Sequence, residues 1–126
     1  MSKLYTACLA AVLSLGLTAC GDSEDGYGSI AYSPSTYRAA IVTGGITQSA
    51  ANDAARDKCD ANDCSVILQF EECGAISGGR DATGAAIVGV GRGGSEYAAQ
   101  TAANDDCTAK GGLSCDVSIG LPAQCN

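Results

Sequence analysis

Two consecutive glutamates, Glu71 and Glu72, are the most obvious pair of acids that could do chemistry in this chain. A carboxylate-dependent hydrolase needs two carboxyl groups that flank one bond. Consecutive residues near the end of a strand point to opposite faces, so these two side chains are not expected to flank a single bond. A cell-wall hydrolase would instead need Glu72 to meet an Asp from the second half of the chain, and we keep it as the second alternative function.

The chain contains no His, which excludes Ser-His-Asp and Cys-His catalysis and every His-ligated metal centre. An oxygen-rich cluster at Asp57, Asp60, Asn62 and Asp63 could suit calcium, but the EF-hand spacing, its Gly and its terminal Glu are missing. An acidic, solvated loop explains the cluster better. We therefore expect no metal, no cofactor and no enzymatic activity.

A glycine-rich run at 89–94 reads G-V-G-R-G-G and matches the dinucleotide-binding pattern G-x-G-x-x-G between a strand and a helix. No parallel strand-helix-strand unit of adequate length follows it, and nucleotides are scarce outside the cytoplasm. The corresponding turn in the first half of the chain holds Gly44 and Gly45. The glycines are therefore interpreted as turn residues before a helix.

The charge of the chain limits its partners. It has 126 residues, with 7 Lys and Arg against 14 Asp and Glu, and a formal net charge of -7. Such a chain is repelled by phosphate backbones, so nucleic acid is not an expected partner. Tyr and Arg dominate protein contacts energetically, and the candidates for a partner contact are Tyr32, Tyr37, Arg38 and Tyr97.

The N-terminus has the features of an export signal. Lys3 is followed by a mainly apolar stretch, Cys8 to Leu17, which is too short to span a bilayer. Leu17-Thr18-Ala19-Cys20 resembles a lipobox, so residues 1–19 are predicted to be a lipoprotein signal peptide and Cys20 the lipidated residue. Residues 20–26 form a flexible acidic tether. The predicted location is extracytoplasmic, anchored to the envelope, and at the outer membrane if the source is Gram-negative.

Six cysteines remain after the tether, and in an oxidising compartment an even number implies disulfides. Zinc is not expected, because His and paired C-x-x-C motifs are absent. Between Gly28 and Asn126 there are only 16 Leu, Ile, Val and Phe residues, so the core is thin and the disulfides must contribute much of the stability. The six residues are Cys59, Cys64, Cys73, Cys107, Cys115 and Cys125.

The elements that position these residues are predicted to occur twice. Gly28-Ser29-Ile30 aligns with Gly74-Ala75-Ile76, and Ala39 to Val42 aligns with Ala85 to Val88 at the same offset of 46. The pattern predicts two similar repeats, at 27–73 and 74–126, within one domain at 27–126. Each repeat is a hairpin, a helix and a strand, which makes an α+β, disulfide-rich domain.

Residue spacing within the repeats predicts how the cysteines pair. Thr47 and Ser95 are good N-caps, and apolar residues then follow at every fourth position, at Ala51, Ala55 and Cys59 and at Ala99, Ala103 and Cys107. Alternation predicts inward strand faces at Cys64, Val66, Leu68 and Phe70 and at Cys115, Val117, Ile119 and Leu121. The cysteine at the end of each helical stripe can contact the cysteine at the start of the strand that follows. The hypothesis is therefore Cys59 with Cys64, Cys107 with Cys115, and Cys73 with Cys125.

These segments resemble a bacterial family called domain of unknown function 4189. The similar segments are Tyr27 to Ser35, the capped Ala-rich helix ending in Cys59, Asp63 to Val66 and Cys73 to Ile76. The resemblance implies an exported protein with a doubled Cys-bearing unit and no shared catalytic residue set. Members commonly carry Trp on the strands, whereas this chain has none.

The sequence favours a binding module of the cell envelope that is not an enzyme. Its partners are then the membrane, through the lipid on Cys20, and an envelope protein or the cell wall. The first alternative is an envelope inhibitor or immunity protein against a secreted hydrolase, because a small, acidic, tethered domain suits capture of a basic enzyme.

Overall fold

A computed structural model describes residues 26–116 and 120–126. The predicted signal peptide, Cys20 and the tether up to residue 25 lie outside the described residues. Within them, no helix is long and apolar enough to cross a membrane. In chain order the elements are β1 (Tyr27–Ser33), β2 (Arg38–Gly45), α1 (Gln48–Cys59), β3 (Ser65–Phe70), β4 (Cys73–Arg80), β5 (Ala86–Gly93), α2 (Glu96–Ala109), β6 (Leu113–Asp116) and β7 (Gln124–Cys125).

The strands form two antiparallel sheets. In the first sheet the order is β2-β1-β3, with β1 in the centre. In the second sheet the order is β5-β4-β6, and the short β7 also pairs with β4. The order strand, strand, helix, strand therefore occurs twice along the chain, and the α+β class predicted from the sequence is confirmed.

The two sheets face each other, and one helix covers the outer face of each. Ile30, Ile41, Phe70 and Ile76 form the core between the sheets. The helices pack on smaller residues. Ala55 and Cys59 of α1 pack with Ala31 and Ala40 of the first sheet, and Ala99 and Ala103 of α2 pack with Cys73 and Ala75 of the second. Side chains on the central strands thus alternate between large residues facing the other sheet and small residues facing a helix.

Both helices begin where the sequence predicts. The Thr47 side chain accepts a hydrogen bond from Ala50 N at 3.0 Å, and the Ser95 side chain accepts one from Ala98 N at 3.1 Å. The predicted stripes are also confirmed, because the buried residues of the helices are Ala51, Ala55 and Cys59 in α1 and Ala99, Ala103 and Cys107 in α2.

The predicted strand faces are only partly right. The pairing of β3 with β1 shifts between Leu68 and Val66, so Ile67 joins Leu68 against the core between the sheets. This irregularity breaks the simple alternation expected from Cys64 to Phe70. In the second half, β6 ends at Asp116, residues 117–119 lie outside the described residues, and Leu121 packs against the core between the sheets.

The glycines at 89–94 have a packing role that the sequence analysis did not assign. A Cβ on Gly89 would lie 2.2 Å from Cys107 N, and one on Gly91 would lie 2.3 Å from Ala103 N. The interpretation of these residues as turn formers is wrong for Gly89, Gly91 and Gly93, since all three lie within β5. Their missing side chains let the backbone of α2 approach the strand closely.

Three disulfides join the six cysteines in the pairs that spacing predicts. Their S–S distances are 2.04 Å for Cys59–Cys64, 2.03 Å for Cys107–Cys115 and 1.99 Å for Cys73–Cys125. The first two each tie the end of a helix to the loop or strand that follows. The third has a sequence separation of 52 and joins the two neighbouring strands β4 and β7.

Replacing Gly91 by Ala is expected to destabilise the protein by about 1 to 3 kcal/mol or more, because the new methyl group overlaps the backbone of α2. Gly94→Ala is the matched control from the same glycine run, since its Cβ would meet nothing closer than 3.7 Å. Urea unfolding measures both variants. Equal stability of the two variants would contradict the close packing of α2 on β5.

Removing the disulfides one at a time should give unequal losses of stability. Loop-closure entropy predicts a loss of about 4 kcal/mol for Cys73–Cys125 and about 2 kcal/mol for Cys59–Cys64, whose sequence separations are 52 and 5. Paired Cys-to-Ser variants compared by thermal unfolding measure the difference. Non-reducing peptide mapping provides the control, and a peptide joining Cys59 to Cys73 would show the pairing to be wrong.

Candidate functional site

Two of the four predicted contact residues meet in one cleft between the sheets. Tyr32, at the end of β1, and Tyr37, in the turn that follows, line a cleft of about 180 Å³. The second sheet supplies the other walls. These comprise two glycines of β4, the adjacent Arg80 and three aliphatic residues of β5, and the set is Gly78, Gly79, Arg80, Ala86, Ile87 and Val88. We call this the aromatic cleft.

Tyr37 is the unusual residue of the aromatic cleft. Its backbone has φ 59°, in the left-handed region, and its side chain is 60% exposed. The turn is closed by a hydrogen bond of 2.8 Å from Tyr37 N to Ser33 O. The hairpin of the second sheet has Gly84 at φ 88° in its turn, which is the residue type that adopts this region without steric cost.

A buried hydroxyl and an acid hold the turn that carries Tyr37. Ser33 Oγ donates to Asp63 Oδ1 and accepts from Thr36 N at 3.3 Å. The second oxygen of Asp63 accepts from Ser35 N at 3.0 Å. The hydrogen bond from Ser33 holds the pKa of Asp63 below its usual value, with a smaller contribution from Ser35. Asp63 therefore joins the turn to the start of β3.

Partial burial raises the pKa of the Tyr32 hydroxyl, and the nearby Tyr37 and Asp63 raise it further. The phenol of Tyr32 is thus neutral at physiological pH and can donate a hydrogen bond. Its ring packs against the core between the sheets. The aromatic cleft therefore combines aliphatic residues of β5 with a phenol, an exposed second ring and Arg80, whose guanidinium donates to Gly84 O at 2.9 Å.

The other two predicted contact residues lie elsewhere. Arg38 follows Tyr37 but reaches Asp60 at the end of α1, with Nη2 and Oδ2 3.5 Å apart. Tyr97 lies in the first turn of α2, is 83% exposed and does not line the aromatic cleft. The structure thus brings Tyr32 and Tyr37 together in the aromatic cleft and places Arg38 and Tyr97 outside it.

The acidic cluster near the end of α1 is not brought together as a metal site. Asp60 has a left-handed backbone and caps the helix, while Asp63 is used in the turn beside Tyr37. Among residues 26–116 and 120–126, no group of three or more Cys, Asp or Glu residues is arranged to hold a metal ion.

A second, more polar cleft of about 520 Å³ contains the two consecutive glutamates. Glu71 and Glu72 lie in the bend between β3 and β4, where strand alternation does not apply, and both line this cleft. Within the part of the chain that the structure describes, no Asp lines this cleft. Arg92 Nη1 donates to Gln69 O at 2.8 Å across it, and the full lining is Gln48, Gln69, Phe70, Glu71, Glu72, Arg92 and Gly93.

Sequence reasoning missed the walls that the second sheet gives to the aromatic cleft. Ile87 and Val88 were visible only as the counterparts of Ile41 and Val42 in the aligned halves. Asp63 was grouped with the neighbouring acids, and its position next to Cys64 was the one local hint that it is fixed in place. These roles depend on contacts between segments distant in sequence.

Comparison with known proteins identifies the family. The family model for DUF4189, a domain of unknown function, matches residues 27–120. The fold is similar to the NMR structure of Rv1813c from Mycobacterium tuberculosis, with a TM-score of 0.52 and 23% identity, covering 100% of this chain and 97% of that one. No curated protein matches the sequence. Since the family match spans most of the chain, this protein belongs to the DUF4189 family.

Proposed function

We propose that this protein is a binding module of the cell envelope that is not an enzyme, anchored outside the cytoplasm by a lipid on Cys20. The observation that carries the proposal is Tyr37, an exposed aromatic side chain on a left-handed backbone at the mouth of the aromatic cleft. Strained backbone and exposed aromatic rings are both typical of contact surfaces. The expected partner is an envelope protein or the cell wall.

The cost of the Tyr37 conformation argues for a role outside folding. A residue other than Gly in the left-handed region loses about 1 to 2 kcal/mol relative to the right-handed region. A Gly at this position would avoid that loss, as Gly84 does in the second hairpin. The tyrosine side chain therefore has a use that offsets the strain, and binding through the ring is such a use.

Two similar repeats, at 27–73 and 74–126, are part of this proposal. The repeats place Gly28 and Gly74 at matching positions of β1 and β4, and Ile30 and Ile76 two residues later. The first repeat supplies Tyr32 and Tyr37, whereas the second supplies the wall formed by β4 and β5. In this proposal the aromatic binding residues of the duplicated domain lie in the first repeat.

An envelope inhibitor or immunity protein is the more specific form of this proposal. The formal net charge of -7 favours encounter with a basic partner and makes the encounter sensitive to salt. A secreted basic hydrolase is such a partner. The aromatic cleft would then hold one apolar or aromatic side chain of that enzyme, for which a volume of about 180 Å³ suffices.

A carboxylate-dependent cell-wall hydrolase is the second candidate function, because Glu71 and Glu72 both line the polar cleft. Arg92 is the cationic group of that cleft. Such an enzyme would degrade purified peptidoglycan, and the degradation would be lost on changing Glu71 or Glu72 to Gln. Degradation of peptidoglycan that depends on Glu71 or Glu72 would show that the protein is an enzyme and would contradict the binding proposal.

The Tyr37→Gly variant tests the proposal. Its free energy of unfolding should lie within about 1 kcal/mol of the parent protein, because relief of the strained backbone offsets the lost ring contacts. Capture of the partner from detergent-solubilised envelope of the native host should fall at least about tenfold, as expected for loss of an anchoring Tyr. Tyr97→Ala is the matched control and should capture normally.

Quantitative mass spectrometry of the captured material, at low and high salt, separates the outcomes. A stoichiometric and salt-sensitive protein that Tyr37→Gly fails to capture supports the inhibitor form. Co-sedimentation with purified sacculi that depends on Tyr37 supports wall binding. Equal capture by the parent protein and by Tyr37→Gly would show that the aromatic cleft is not the binding site.

A further inference from the structure

The edges of the two sheets differ in how their backbones are protected. At the β5 edge, Val90 N donates to Asp106 of α2 at 2.9 Å, and Lys110 donates to Val88 O at 3.5 Å. At the β2 edge, Lys58 of α1 donates to Ile41 O at 3.3 Å. Charged side chains that reach the backbone of an edge strand prevent pairing with another chain. β6, the remaining edge of the second sheet, has four residues.

Among residues 26–116 and 120–126, no charged side chain donates to the backbone at the centre of the β3 edge. The run Val66-Ile67-Leu68 carries no charge, and all three side chains are half-buried. Among the described residues, β3 pairs with β1 on one side and with no strand on the other. At its end, Arg92 donates to Gln69 O. Unpaired backbone groups along an apolar strand are a template for a further strand.

Two depressions that share Gln69 follow this edge. A depression of about 330 Å³ is lined by Asn52 and by β3 from Val66 to Gln69. Gln69 also lines the polar cleft, which continues to Glu72. We call the combined feature the β3 edge groove, from Val66 to Glu72. Its length suits an extended segment of several residues.

The acidic residues at the two ends of the β3 edge groove indicate which kind of segment it binds. Asp63 is exposed just before β3, and Glu71 and Glu72 are exposed just after it. Basic residues flanking an apolar extended segment would lie against these acids. A second copy of the chain is a poor occupant, because antiparallel pairing centred between Ile67 and Leu68 would bring Asp63 of one copy opposite Glu72 of the other, in addition to the repulsion of two chains of charge -7.

We propose that the β3 edge groove binds an extended, basic-flanked segment of a partner protein by adding it as a fourth strand to the first sheet. Backbone hydrogen bonds to β3 give affinity, the apolar run holds alternate side chains, and the acids at both ends select the flanks. This site is separate from the aromatic cleft, so the proposal does not depend on Tyr37.

A synthetic peptide tests the proposal with the disulfide-bonded protein. The probe has five alternating valines and threonines with two lysines at each end, and a control probe carries glutamates in place of the lysines. Calorimetry should show binding of the lysine probe, at least about tenfold tighter than the glutamate probe and weakened by salt. Hydrogen–deuterium exchange should show slower exchange in residues 65–70 when the lysine probe is bound.

Matched variants and a modified probe identify the mode of binding. Val66→Lys places a charge in the groove and should weaken binding about tenfold or more, whereas Ile46→Lys adds the same charge at a residue that is 88% exposed and should not. Glu71→Lys should reduce the preference for the lysine probe, and Asp105→Lys is its control for net charge. Two probes are N-methylated, one at each alternate set of residues, and the probe whose methylated nitrogens face β3 should lose binding, because it cannot donate to β3.

Three results would overturn the proposal. The first is no binding of the lysine probe at millimolar concentration. The second is binding that leaves exchange in residues 65–70 unchanged or that survives in both N-methylated probes, since neither is compatible with an added strand. The third is a dimer of the protein alone in which residues 65–70 are already protected, which would make a second copy the occupant. If the Tyr37→Gly variant binds the lysine probe as the parent protein does, this site is independent of the aromatic cleft.

Discussion

The packing of Phe70 between two glycines is the interaction on which the rest of the structure depends. Phe70 is the one Phe of the chain and is 2% exposed. A Cβ on Gly28 would lie 2.2 Å from one side of its ring, and a Cβ on Gly74 would lie 2.4 Å from another. Gly28 belongs to β1 and Gly74 to β4, the central strands of the two sheets. One ring therefore fills the space where the sheets meet, and only glycine leaves room for it.

The remaining layers approach each other through small residues. Ala and Gly let each helix lie close to its sheet, as where Gly89 and Gly91 contact the backbone of α2. Such contacts bury little apolar area per residue, so a thin core alone gives limited stability. The disulfides add covalent links at the ends of both helices and at the junction of β4 with the C-terminal strand. Small-residue packing and disulfides are thus two parts of one solution for a domain of this size.

Local spacing predicted most of the fold, and contacts between distant segments explain what it missed. The caps Thr47 and Ser95 and the helical stripes follow from neighbours within four residues, and so do the short-range disulfides they position. The clefts do not. Glu71 and Glu72 line one cleft because both lie in the bend between β3 and β4, and Tyr32 and Tyr37 form a site because the second sheet lies opposite them. A single sequence contains no signal for how two sheets face each other.

Phe70 links the two sheets, and a double-mutant cycle of Phe70→Ala and Gly74→Ala, measured by urea unfolding, tests this role most directly. In the parent protein Gly74→Ala should cost about 1 to 3 kcal/mol or more, because the methyl group has no space beside the ring. In the Phe70→Ala background the same change should cost close to nothing, because the ring is gone. An equal cost of Gly74→Ala in both backgrounds would contradict the central role of Phe70.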